Sequence, residues 1–167
     1  MLKLDAERYI LKPHFATIHC EPGWRWRKRP HPMPNYDIFY VWQGQGDLTL
    51  NGKHYPLVPH TCFLFRPGDS ISATHQPQDP LMITYIHFDL AGPVTLIPRP
   101  YRIIHDYIPF EALLSRYVRL FLVDTFGAEL EAKLILKQLM IHLLRAERES
   151  AEMPPGTARR NSNALIE

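Results

Sequence analysis

Two cysteines in 167 residues, Cys20 and Cys62, are too few and too far apart to form a disulfide framework, and no Cys-x-x-Cys pair suggests a metal or redox motif. They read as small buried apolar residues of a reduced, cytoplasmic protein. One-sided charge is also lacking: 19 Lys and Arg face 17 Asp and Glu, a net charge of +2. No strong field marks nucleic acid or an anionic membrane as the partner of this chain. No apolar run approaches the ~18 residues that span a bilayer, and the Met1-Leu2-Lys3-Leu4-Asp5 start has no signal-peptide core. A Gly-x-Ser-x-Gly elbow and a phosphate-cradling glycine loop are absent, and neither cysteine has a recognisable catalytic partner. The common hydrolase, nucleotide-binding and membrane classes lose their usual signatures.

Proline is abundant instead, with 16 residues, nearly all before residue 110. The front of the chain should therefore be turns and edges, not helices. Short β-type runs follow one another there: Phe15–His19, Ile38–Trp42, Asp47–Leu50, Lys53–Leu57, Cys62–Arg66, Ser70–Thr74 and Met82–Phe88. Such spacing predicts a sandwich or barrel. Asn51-Gly52, between alternating runs, marks a tight hairpin, because both turn positions need positive φ. Gly44-Gln45-Gly46 and Pro67-Gly68-Asp69 mark further turns.

After a loop carrying Pro93, Pro98 and Pro100 the period changes. Pro109 suits the first position of a helix. Phe110, Leu113, Leu114, Tyr117, Val118, Phe121 and Leu122 then repeat at helical spacing, with Gly127 as the expected stop. A second helix is expected from Ala128 to Glu149. Ala132, Ile135, Leu136, Leu139, Met140, Leu143 and Ala146 form its broad apolar arc, and Leu130, Leu134, Ile141 and Leu144 a second patch. One face can cover a sheet. The second suits a dimer mate, or packing within the same chain. Residues 151–167 read as a linker containing Pro154-Pro155-Gly156, followed by Asn161-Ser162-Asn163 as N-cap residues and the start of another helix. The expectation is a chain cut at the start of a further domain, with a frayed natural terminus as the alternative.

Asp37 lies where a cupin-type metal motif would place its carboxylate before Gly44. The upstream histidine positions would fall on His31 and Met33, or on Pro30 and Pro32. In the second motif Arg66 stands for proline and Ile71 for the third histidine. Two of four ligands are missing, so no metal site is expected. The barrel resemblance is stronger than the metal resemblance. Tyr36-Asp37-Ile38-Phe39-Tyr40-Val41-Trp42-Gln43-Gly44-Gln45-Gly46, then Asn51-Gly52, Leu57-Val58-Pro59, Phe63 to Asp69 and Ile86-His87-Phe88 fall in the order seen in AraC-type sensor domains. Over about residues 15 to 150 the chain resembles that family. The resemblance implies a mainly β fold: a cupin-like (jelly-roll) barrel followed by two C-terminal α-helices. It divides the chain into a sensing barrel with an N-terminal arm (1–108), a dimerising helical pair (109–150) and the linker. It implies a small-molecule effector, often a sugar, a homodimer, and DNA contact only through a C-terminal domain with two helix-turn-helix units, absent from these residues. No cofactor and no membrane partner are implied.

The resemblance implies that Asp37, in its cupin position, points inward, and strand parity then places Phe39, Val41 and Gln43 on the same inner face. The family's inward positions on the last strand resemble Ile83, Tyr85 and His87, and after the Pro-Gly turn Ile71 and Ala73, with His75 in phase. Planar polar groups and an aromatic face suit a sugar. Trp24, Asp37, Phe39, Gln43, Arg66, His75, Tyr85 and His87 are the candidate ligand-binding residues, each also readable as packing or as a strand-end contact. Ile71 and Ala73 are less polar than a sugar sensor would want. The run Trp24-Arg25-Trp26-Arg27-Lys28-Arg29 interleaves rings and cations as single-strand nucleic acid grooves do, but with so little net charge it reads as a solvated loop whose tryptophans cover a barrel mouth. Two competitors remain: a stand-alone cupin enzyme, such as a metal-dependent isomerase or dioxygenase, and an interaction module whose barrel is filled by its own side chains.

Overall fold

The computed structural model describes residues 5–152. All seven expected strands are present. They form two antiparallel sheets packed face to face, and two helices follow. The first sheet has the order β1-β8-β3-β6-β9, where β1 is Tyr9–His19, β3 is Tyr36–Gln43, β6 is Thr61–Phe65, β8 is Met82–Leu90 and β9 is Tyr101–Ile103. The second has the order β2-β7-β4-β5, where β2 is Arg25–Trp26, β4 is Gly46–Leu50, β5 is Lys53–Leu57 and β7 is Ile71–His75. This is a cupin-like jelly roll.

Three segments differ from the sequence reading. β1 starts six residues before the expected Phe15, because the register shift between Leu11 and Phe15 accommodates Pro13. β1 is an edge strand, where a missing N–H is tolerated. The short strands β2 and β9 arise in segments read as loops: Arg25 and Trp26 pair with Thr74 and Ala73, and Tyr101 to Ile103 pair with Phe63 to Thr61. Strands of two and three residues have no alternation to read.

The first sheet separates two cores. Phe39, Val41, Phe63, Phe65 and Ile83 point into the barrel with Leu48, Leu50, Leu57, Ile71 and Ala73 from the second sheet. Ile38, Tyr40, Cys62, Leu64, Ile86 and Phe88 point the other way, against the helices. α1 (Tyr107–Leu120) contributes Phe110, Leu114, Tyr117 and Leu120 to that second core. α2 (Ala128–Glu152) contributes Ala132, Ile135, Leu136, Leu139, Met140 and Leu143, the expected arc. Arg102 of β9 ties the sheet to α2 through the Glu147 carboxylate and the Leu143 carbonyl. Tyr40 donates its hydroxyl proton to Glu111 of α1 at 2.7 Å and lies 2.9 Å from His60 Nδ1, whose ring stacks on Tyr107 at 3.9 Å.

Both helix boundaries shift. Pro109 sits in the first turn of α1 but not at its first residue, which is equally permissive because those N–H groups have no acceptor within the helix. α1 stops at Leu120, before the expected Gly127. Gly127 instead takes φ +74 just ahead of α2, and its carbonyl accepts the Glu131 N–H. Phe121 and Leu122 therefore fall in the turn and are exposed. The second patch on α2 is smaller than expected. Leu130 and Leu134 are open at 52% and 44% exposure and Ile141 is half-buried, but Leu144, at 7%, is packed inside the chain.

The turn after β3 is closely packed against neighbouring backbone. Gly44 adopts φ +91, and a Cβ there would lie 2.3 Å from the Pro80 carbonyl oxygen, against rigid backbone. Gly44→Ala is expected to cost at least ~2 kcal/mol. The check is a lower urea midpoint at an unchanged m-value.

Candidate functional site

A cavity of about 450 Å³ opens at one end of the barrel, between the inner face of β1, β8 and β3 and the segment from Trp24 to Asn35. Its size suits a drug-sized or smaller organic molecule. β3 supplies Asp37 and Phe39, and β8 supplies Ile83, Tyr85 and His87, all through the period-2 alternation of strands. β1 adds His14 and Ile18, and the covering segment adds Trp24, Arg25, Trp26, Arg29, Pro34 and Asn35. Hydrogen bonds hold the covering segment at both ends: β2 pairs with β7, while Met33 exchanges backbone bonds with Asp69 and Gly68. Trp26 closes over the barrel core, 5.9 Å from the Phe39 ring and 5.8 Å from Phe65.

Two ionisable groups form the polar floor. Asp37 is fully buried. Its Oδ1 accepts the Ile86 N–H at 3.2 Å, and its Oδ2 has no hydrogen-bond partner and stands 3.4 Å from His87 Nε2. His87 Nδ1 lies 2.7 Å from Asn35 Oδ1. Burial pushes the Asp37 carboxyl up to about 7, although the Ile86 N–H and the Arg29 charge pull the other way. Burial also pushes His87 down to about 4, helped by the nearby His14 and Arg29. Both shifts favour the uncharged pair, with the proton on Asp37 and His87 donating from Nδ1 to Asn35.

Five of the eight candidate residues line this cavity: Trp24, Asp37, Phe39, Tyr85 and His87. Three do not. Gln43 follows a register shift after Val41, which breaks the inward phase and leaves its side chain exposed at the strand end. Arg66 donates from Nη2 to the Pro98 carbonyl at 2.8 Å and so fastens the approach to β9. His75 is held at both ring nitrogens: Leu81 N–H donates to Nδ1 at 3.2 Å, which leaves Nε2–H to donate to the Pro22 carbonyl at 2.9 Å. Ile71 and Ala73 belong to the packed part of the barrel. Sequence reasoning missed His14, hidden by the Pro13 bulge, and Asn35, which has no motif. It also left Arg25 and Arg29 in a solvated loop, although the tryptophans of that loop were expected over the mouth.

The donor set does not fit a cupin metal. His31, the surviving motif histidine, is exposed and outside this cavity, and among the described residues no three His, Cys, Asp or Glu side chains converge to hold an ion. Asp37 engages Ile86 and His87 instead.

The AraC-like ligand binding domain family matches residues 14–144. This chain belongs to that family. The cavity-lining residues all lie within the matched segment. Among solved structures, apo ToxT from Vibrio cholerae is similar at a TM-score of 0.58, with 10% identity, over 86% of this chain and 57% of that one. A cupin domain of Cnp3 from Schizosaccharomyces pombe is similar at 0.39, with 20% identity, over 46% of this chain and 56% of that one. A predicted oxalate decarboxylase from Thermotoga maritima follows at 0.37, with 23% identity, over 46% and 64%. The chain thus spans less than two thirds of each. No curated protein matches the sequence. No helix among the described residues is long and apolar enough to cross a membrane.

The buried carboxyl makes a pH-dependent prediction. A folded-state value raised above the unfolded one stabilises the fold at low pH, and that stabilisation is lost as pH rises through about 7. His87 acts in the opposite direction, losing stability as pH falls from 6.5 towards about 4, in wild type and variant alike. Asp37→Asn keeps an acceptor for Ile86 and cannot ionise. Its advantage over wild type by urea unfolding should therefore be larger at about pH 8.5 than at about pH 5, where wild type has lost only part of that stabilisation. The same difference at both pH values contradicts a buried, proton-holding Asp37.

Proposed function

We propose that this chain is the effector-binding and dimerisation domain of a bacterial AraC-type transcription regulator, acting in the cytoplasm and without catalysis of its own. The supporting observation is the family match over residues 14–144 together with a cavity on the inner face of the very sheet whose outer face carries the helices. Residues 1–108 sense the effector, residues 109–150 dimerise, and residues 151–167, almost all outside the described residues, lead towards a DNA-binding domain. DNA is contacted only through that domain. A sugar is the first effector the family suggests.

The effector acts by population shift. It binds one arrangement of the covering segment better than others and thereby biases how the paired chains present their partner domains. The pairing surface is the exposed apolar edge formed by Leu130 and Leu134 of α2 with Leu122, Val123 and Phe126 of the preceding turn. Ile141, half-buried, continues it; Leu144 does not.

A thermal-shift panel of pentoses, hexoses and organic acids tests the sensing role. A true effector at about a hundredfold above its Kd should raise Tm by ~5 °C or more. No shift with any compound, together with a stoichiometric transition metal after purification, favours the cupin-enzyme alternative. For dimerisation, Leu134→Glu combined with Ile141→Glu should give monomers by light scattering with an unchanged far-UV circular dichroism spectrum. A double variant that stays dimeric places the interface elsewhere.

A further inference from the structure

We propose that the effector is a small organic anion with a ring-bearing body, held by Arg29 and Arg25 at the cavity mouth, and not a neutral sugar; this rests on the sensing role above. The lining contains two guanidiniums against one carboxylate, so it stays cationic even with Asp37 ionised. Neither arginine has a carboxylate within ion-pair distance among the described residues. The Arg29 guanidinium stands over the Trp26 ring, 5.9 Å from its centre, and both residues line the cavity. Its charge reaches the floor, where it acts on both Asp37 and His87. A planar fork of this kind matches a carboxylate in two parallel hydrogen bonds.

The cavity body is the wrong surface for a sugar. A sugar needs a fixed donor or acceptor for most of its hydroxyls, and a buried polar group left unmatched is costly. At the floor two acceptors are already engaged, since Asp37 Oδ1 takes the Ile86 N–H and Asn35 Oδ1 faces His87 Nδ1, and Asp37 Oδ2 is the buried polar atom left without a partner. Beside the polar groups of His14 and Tyr85, the walls include Trp24, Trp26, Phe39, Ile18 and Ile83, three rings and two branched aliphatic chains. Such walls favour a flat apolar body. Charge at the mouth and rings behind it describe an aromatic carboxylate.

The test uses 2-naphthoate, 2-naphthamide and L-arabinose as probes, with binding read from tryptophan fluorescence and Tm on the whole chain. Naphthoate should bind roughly tenfold more tightly than the amide, which has the same ring without the charge. Added salt should narrow the gap. Arg29→Gln with Arg25→Gln should remove the advantage of naphthoate over the amide. Both arginines are exposed, so the variant should fold normally, which its Tm without ligand checks. Equal binding of naphthoate and amide, or a gap that survives the double variant, overturns the anion. Arabinose binding without naphthoate also overturns it and leaves the sensing role standing. If naphthoate and the wider panel of sugars and acids all fail to bind, both fall.

Discussion

Everything in this domain hangs on one strand that is buried on both faces. β3 sends Asp37, Phe39 and Val41 into the barrel and Ile38 and Tyr40 towards the helices. Because successive side chains alternate, a slip of one residue would exchange the two sets, placing a carboxyl against the helices and a helix-packing tyrosine in the cavity. The hydrogen-bonded neighbours β6 and β8 divide in the same way, so the register of three strands is fixed by two cores at once. The helices are therefore a necessary cover: without them the outer face of the sheet would present a continuous apolar surface to water.

The same constraint places the cavity and the helix-covered face of the sheet back to back. Asp37 and Phe39 line the cavity, and the next residue, Tyr40, reaches Glu111 and His60 on the other side. A movement of β3 in response to an occupant would be felt at the base of α1 within one residue. The rest of the barrel is poorly placed to respond, since Phe63, Phe65, Leu48, Leu57 and Ile71 fill it with packed side chains. The open space is confined to the end enclosed by β1 and the Trp24–Asn35 segment. One end is thus filled by side chains and the other holds the cavity.

Much of this was legible in the sequence. The strands, the Asn51-Gly52 hairpin, with φ of 50° and 84°, and the core arc of α2 follow from alternation, turn chemistry and helical period. The inward positions of β3 and β8 came from the family resemblance, extended along β3 by parity, and Asp37, Phe39, Tyr85 and His87 do meet at the cavity. Parity failed at Gln43, where a bulge resets the phase, and a bulge leaves no mark on composition. It also misjudged His75, whose position is inward but whose nitrogens are both engaged by backbone. Arg25 and Arg29 lie in a proline-bounded loop without period, so only the fold brings them to the cavity. Leu144 was misplaced because a wheel gives a direction and not the depth of the neighbours along it.

The central claim is that this cavity, and not another surface, receives the effector, and that the helical face of the sheet responds to it. The chain provides three tryptophans for the purpose: Trp24 and Trp26 at the cavity, and Trp42, whose indole N–H donates to Thr84 Oγ1 at 2.7 Å. Trp42 packs with the helix-side core. Fluorine NMR of 5-fluorotryptophan protein, titrated with any compound that raises its Tm, reads both places in one spectrum. The account predicts that the Trp24 and Trp26 resonances move on binding and that Trp42 moves with them at the same saturation point. A compound that stabilises the protein while Trp24 and Trp26 stay fixed contradicts it.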